Sequence, residues 1–369
     1  MKKLYSVSKS LLASVLCIGL FSSNVLAANT ELKERPPLTY EKAYEMALKS
    51  NSDLDSLVAK MQNIQDNRKD MFDGTVRGDK SQFVVMDSAR LGYLNALQNY
   101  DNGMKSTRLQ QEITKVGVGA SVKSYFAQIQ TLQKGLVLSQ QSYQIQRKLL
   151  VQAQLKEKLG IISKNDLDSV KRATEKAEQD LKKMQLSLDN AYIDLNKLIG
   201  IQAEERYDID YSVEFEPLKM NASIDMYVNG SLAKDAALEI QRLAIDSAEF
   251  SKNVISDSTT VADYRNAEYN FDNSERAYRD AKLDKEQKIR STYNKLLELE
   301  AERLNLEKAL ENAKQNLTTV EVNLKVGNAT EIQLEQAMLA VEAAEMDLLS
   351  NTLTHDITKY SFENTCILS

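Results

Sequence analysis

The chain has 369 residues, 27% of them charged and 7% aromatic, and its 47 basic against 53 acidic side chains give a formal charge of −6. An acidic balance argues against nucleic acid as a partner, because phosphates need a basic face. Two cysteines and one histidine cannot build a zinc site, while three prolines, no tryptophan and a wealth of Ala, Leu, Lys, Glu and Gln are the composition of long helices.

At the N-terminus Lys2, Lys3 and Lys9 precede the apolar run Leu11 to Phe21, and Val25-Leu26-Ala27 supplies small residues before a cut near Ala27/Ala28. This is the layout of a secretory signal peptide, so residues 1–27 are expected to direct export and leave. The apolar run is too short to span a bilayer comfortably, which makes a signal anchor the lesser alternative. Removal takes three lysines, leaving 44 basic against 53 acidic residues and a formal charge of −9. Ser14-Val15-Leu16-Cys17 is similar to the start of a lipobox. Yet Ile18 stands where a small residue is usual and Cys17 sits inside the apolar run, so a lipoprotein is the minor reading. Cys366 then remains alone, and a single thiol makes no intrachain disulfide.

A helix is expected from Thr39 to about Lys69. The next carries a heptad through Val122, Tyr125, Ile129, Leu132, Leu136, Ser139, Tyr143 and Leu150. Gly160 follows its last residue, where a left-handed cap favours glycine, and Ser163 with Asp166 reads as a capping box that starts the returning helix. From Leu167 an apolar seam in steps of three and four continues through Val170, Thr174, Ala177 and Leu181 to Leu198. Gly200 ends it. Tyr207 to Pro217 is an acidic, aromatic connector with room for one short strand. A second short helix is expected from Ile224 to about Phe250, then a long one from about Ala267 to Lys325, roughly 90 Å at about 1.5 Å per residue. Gly327 ends that helix, and Thr330 with Gln333 forms the next capping box.

These elements occur twice. Leu159-Gly160-Ile161-Ile162-Ser163 is echoed by Val326-Gly327-Asn328-Ala329-Thr330, and superposing the glycines also places Leu195 on Phe362. The expected fold is all-α: two tandem antiparallel coiled-coil hairpins, residues 28–200 and 222–369, joined by a linker at 201–221. Catalytic chemistry is not indicated. His355 occupies a heptad position matched by Leu188, which reads as a seam residue instead of a base or ligand. The glycines form no phosphate-cradling pattern, and Tyr264, Tyr269 and Tyr278 read as helix-surface residues among charges. No enzyme and no cofactor are expected.

The segment Pro37-Leu38-Thr39-Tyr40-Glu41-Lys42-Ala43 through Ala47-Leu48-Lys49-Ser50-Asn51-Ser52-Asp53-Leu54 resembles the opening of the TolC-like outer-membrane efflux proteins, "LT-x-x-x-A … AL-x-x-NP-x-L". The two hairpin turns resemble that family's repeated "VG-x-x-(S/T)-x-x-D(V/L)" element. The resemblance covers nearly the whole mature chain. It implies a TolC-like helical barrel protomer, a homotrimer enclosing a tunnel, and partnership with an inner-membrane pump and a periplasmic adaptor that expel drugs, toxins or other solutes. It also implies a cell-envelope location, the outer membrane in the family.

Two departures qualify that expectation. In the family some dozens of residues after each repeat's first helix form two barrel strands. Here only Met71 to Met86 and Ser251 to about Asn266 are free, too short for two spans of about ten residues each. The barrel is expected to be missing, which suits a periplasmic or wall-associated conduit. Family pore-mouth positions fall on Gln333 and Gln336, with Asp166 equivalent in the first repeat, so an acidic ring is partial at best. Asp166 and Gln333 also read as plain helix caps, and Glu331 and Glu335 lie nearby. The alternative functions are a non-transporting coiled-coil scaffold of the envelope and, more weakly, an adaptor lacking its lipoyl and barrel segments.

Overall fold

The computed structural model describes residues 37–77, 87–253 and 260–368, and Pro37–Ser369 form one compact unit. The signal-peptide and lipobox readings fall outside the described residues. Helix α1 (Tyr40–Ser50) starts on Thr39, whose hydroxyl accepts the Lys42 N–H at 3.4 Å. Where the sequence suggests one helix, the chain breaks at Asn51 and restarts as α2 (Ser52–Arg77). The reason is local: the Asn51 carboxamide oxygen accepts the Leu54 N–H at 2.9 Å and caps the new helix. Helix α3 (Asp87–Lys158) has 72 residues, about 108 Å, and α4 (Lys164–Ile199) returns alongside it.

A second set follows. The expected helix from Ile224 is again divided, into α5 (Ile224–Leu232) and α6 (Ala236–Asn253). Asp235 makes the break, its carboxylate accepting the N–H groups of Ala237 and Leu238 at 3.0 and 3.1 Å. Helix α7 (Val261–Lys325) begins six residues before the expected Ala267, on a capping box between Thr260 and Asp263, and α8 (Glu331–Glu363) completes the hairpin. A 3₁₀ turn, Thr365–Ile367, follows α8. The connector holds the short strand allowed for it: β2 (Ile209–Asp210) pairs in parallel with β1 (Leu38–Thr39).

The four long helices form a row, α4–α3–α8–α7, because α3 packs on α4 and on α8, α8 packs on α7, and α4 does not pack along α7. Polar ties between α3 and α8 fix an antiparallel register: Lys148 with Glu335, Gln141 donating to Glu342 at 3.2 Å, and Lys123 donating to Asp356 at 2.8 Å. That register brings both hairpin turns to the same end. At the other end α3 and α6 are joined by hydrogen bonds from Ser251 to Asn95 and from Asn102 to Ser247.

Short helices clamp the middle of each hairpin. Ala43 and Ala47 of α1 seal against Val122, Phe126, Ile129 and Leu195, all at 1% exposure or less, with Leu38 and Ile209 of the β-pair beside them. In the second hairpin, Val228 and Leu232 of α5 and Leu238 of α6 cover Ile289, Leu296 and Phe362. Each core buries the a/d seam that the sequence periodicity marks.

Nine residues separate Arg77 from Asp87, and seven separate Asn253 from Val261. A pair of membrane-spanning strands needs about 20 residues, so neither junction has room for one. Of the stretches that read as too short for a barrel, residues 71–77 and 261–266 are helical, and residues 78–86 and 254–259 lie outside the described residues. No described helix is long and apolar enough to cross a membrane.

Candidate functional site at the hairpin turns

Gly160 adopts φ +72° and Gly327 φ +79°, the left-handed conformation that spares a Cβ clash. Both helices close identically. The Ile161 N–H bonds back to the Lys156 carbonyl at 2.8 Å and the Gly160 N–H to Glu157 at 2.9 Å. Asn328 bonds to Asn323 at 2.7 Å, and Gly327 to Leu324 at 3.1 Å. These are Schellman closures, which satisfy carbonyls that a helix end leaves bare.

Each return helix starts on a reciprocal cap. The Ser163 N–H and hydroxyl donate to the Asp166 carboxylate at 3.0 and 2.7 Å, and the Asp166 N–H donates to the Ser163 hydroxyl at 3.2 Å. The Thr330 N–H donates to the Gln333 side-chain oxygen at 2.8 Å and the Gln333 N–H returns a bond to the Thr330 hydroxyl at 3.3 Å. The Ser163 hydrogen bonds hold the Asp166 carboxyl below the usual carboxylate range. Asp166 and Gln333 therefore act first as caps. Gln336 is exposed and lies one turn along α8 from Gln333.

Charge and apolar surface differ between the turns. Around Gly160 the exposed apolar and charged residues are Leu155, Leu159 and Ile161 (60%, 65% and 65%) with Lys156, Lys158, Lys164 and Asp166. Around Gly327 they are Val322 and Val326 (54% and 64%) with Lys325 and Glu331.

Three polar clusters escaped sequence reading. Lys123 is ringed by Tyr40, Tyr211 and Tyr360, with its Nζ 5.3 to 5.6 Å from each ring centre. The Tyr211 hydroxyl donates to the same Asp356 oxygen at 2.6 Å, and burial followed by that bond pushes its phenol up. Connector, α3 and α8 thus meet at one lysine. His355 is buried in the α7–α8 seam, as its heptad position indicates. The periodicity does not show its polar partner: Nε2 lies 3.2 Å from Glu300, whose oxygen also accepts the Leu218 N–H at 2.6 Å. In the third, Asp235 accepts the Thr365 hydroxyl at 3.0 Å while Lys285 donates to the Thr365 carbonyl at 3.0 Å. Beside it burial pushes the Cys366 thiol up, which favours its protonated form. Tyr264 and Tyr269 are surface residues as read, but Tyr278 packs on the second core. Among the described residues no group of acidic, histidine and cysteine side chains is placed to hold a metal.

Solved structures share this architecture. A membrane protein from Pseudomonas aeruginosa superposes with a TM-score of 0.67 at 10% identity, over 89% of this chain and 90% of its own. The outer-membrane protein VceC of Vibrio cholerae gives 0.63 at 14% identity, over 89% and 95%. The CmeC outer-membrane channel of Campylobacter jejuni gives 0.63 at 12%, over 95% and 94%. The fold is TolC-like. At such identities the likeness establishes the helical channel-protomer fold and no more, and these neighbours are channel and membrane proteins rather than enzymes. No family sequence model and no curated protein matches the chain. The TolC-like fold here is assembled with nine and seven residues at its two far junctions.

Proposed function

We propose that this chain is the subunit of an efflux or export conduit in the cell envelope, several copies of which close into one helical tunnel. The observation that carries the reading is the open helical row. Its two free edges, α4 and α7, each bear exposed apolar residues at heptad intervals: Leu186 and Ile193 on α4 (64% and 39%), and Leu283, Leu297 and Leu304 on α7 (58%, 43% and 60%). A single chain leaves both stripes in water, which costs about 25 cal/mol per Å² of apolar surface. Seating the α4 edge of one copy on the α7 edge of the next buries both and generates a ring.

Three copies, as the fold's relatives imply, give a homotrimer, with the two hairpins arising from one duplicated unit and residues 1–27 serving export. Asp166, Gln333 and Gln336 would then ring the end of the tunnel. As Asp166 and Gln333 are held in caps, they set the width of that mouth more than its charge. The cargo is a solute passed on by an inner-membrane pump and an adaptor, and no catalytic step belongs to this chain. The short far junctions favour a conduit that ends without a barrel of its own.

The test is the native mass of the exported chain by light scattering without detergent, joined to loss of solute export on deletion. A soluble trimer with an export defect supports the conduit. A monomer, or deletion without any export phenotype, favours a coiled-coil scaffold of the envelope.

A further inference from the structure

The α3–α4 turn carries a property that closing a ring does not use. The chain as a whole is acidic, with a formal charge of −6. Residues 156–164, by contrast, hold Lys156, Lys158 and Lys164 against the half-buried Glu157 alone. None of the three lysine ammonium groups makes a hydrogen bond or ion pair among the described residues, whereas those of Lys148 and Lys171 farther from the apex are paired with Glu335 and Asp168. Asp166, the next carboxylate, is exposed and stays ionised in the Ser163 cap, so residues 156–166 hold three lysines against two carboxylates, an excess of one positive charge. Leu159 and Ile161 flank the left-handed Gly160 and are each 65% exposed, and nothing lies within 4 Å of where a Gly160 side chain would sit. The apex is convex, bare and aliphatic, with free ammonium groups on flexible stems to either side.

We propose that this turn is a contact point for an anionic phospholipid surface: Leu159 and Ile161 enter the headgroup region while Lys156, Lys158 and Lys164 meet lipid phosphates. Exposed Leu159 and Ile161 beside the Lys156, Lys158 and Lys164 ammonium groups match the layering of an anionic bilayer surface, apolar inward and phosphate outward. The Gly327 turn supplies an internal control, because Val326 is equally exposed but Lys325 there is offset by Glu331. Each turn binds weakly, and an assembly presenting several at one end multiplies the effect.

The experiment is vesicle flotation of the compact unit Pro37–Ser369, which omits the apolar run near the N-terminus, with circular dichroism to verify helix content. Vesicles of equal phosphatidylglycerol and phosphatidylcholine are compared with phosphatidylcholine alone at low salt. The expected result is binding to the anionic vesicles only. It should fall about tenfold or more in Lys156→Glu/Lys158→Glu/Lys164→Glu and in Leu159→Ser/Ile161→Ser, and stay unchanged in Val326→Ser. Absence of binding, or binding that the turn variants leave intact, overturns the proposal. So does failure to bind vesicles combined with lysine-dependent capture of a pump or adaptor protein, which makes the apex a protein contact. A monomer that binds vesicles through this turn sinks the conduit and leaves the lipid contact standing.

Discussion

Gly160 and Gly200 both lie in left-handed backbone, at φ +72° and +74°, but for different reasons. An added Cβ at Gly160 meets open space, so the cost of Gly160→Ala is conformational strain alone, about 1 kcal/mol. At Gly200 the same atom would fall 2.6 Å from the Ser50 Cβ, where Ser50 also donates to the Leu198 carbonyl at 2.7 Å. Gly200→Ala must therefore push α1 off α4 as well, and denaturant titration should show it clearly more destabilised than Gly160→Ala. A second residue-scale expectation concerns acid. Serine and threonine hydrogen bonds hold the Asp166 and Asp263 carboxyls below the usual range, so their contribution is complete above about pH 4 and is lost as pH falls through the lower folded values. Gln333 does not titrate. Amide exchange followed downward from pH 5 should show the starts of α4 and α7 fraying while the start of α8 holds, and Asp166→Asn should remove the pH dependence at α4. Caps of this kind are legible in sequence because partner and cap lie three residues apart. The Lys123–Asp356–Tyr211 cluster is not, because its members are scattered across α3, α8 and the connector and only the fold brings them together. Asp356→Ala strips both partners at once and should cost about 2 kcal/mol, against about 1 for Tyr211→Phe.

Along each helix, the three-and-four spacing predicts which positions are inside, and neighbouring residues show how sharply. Leu296 is fully buried under α5, and Leu297 is 43% exposed on the free side of α7. Leu296→Ala should lower stability by about 3 kcal/mol in any oligomeric state. Leu297→Ala should leave the isolated chain nearly unchanged and show its effect only in assembly mass. Periodicity carried the long helices into view but not their interruptions. Asn51 and Asp235 fit a helical pattern well enough by composition, and they break the helix only because their side chains find N–H groups ahead of them to cap. Hydrophobic spacing places the start of α7 six residues late for a related reason. Tyr264 to Asn266 keep no apolar seam, so the Thr260–Asp263 box marks a beginning that hydrophobic spacing cannot.

At the scale of the molecule, the sequence specifies two hairpins and leaves their mutual arrangement open: a closed four-helix bundle and an open row satisfy the same heptads. The row is decided by the α3–α8 ties, and its consequence is two unlike edges. An interface between unlike edges is heterologous, so each copy offers one α4 edge and one α7 edge. Chains carrying Leu186→Asp/Ile193→Asp lose the first, chains carrying Leu297→Asp/Leu304→Asp lose the second, and each alone should be monomeric by light scattering. Mixed in equal amounts, they retain one sound edge of each kind between them and should form a heterodimer that cannot grow or close. An interface made of two like edges behaves otherwise: one of the two variants would still self-associate alone, and mixing would add nothing. A heterodimer appearing only in the mixture would establish the α4–α7 contact as the unit of ring closure, and dimers of either variant alone would refute it.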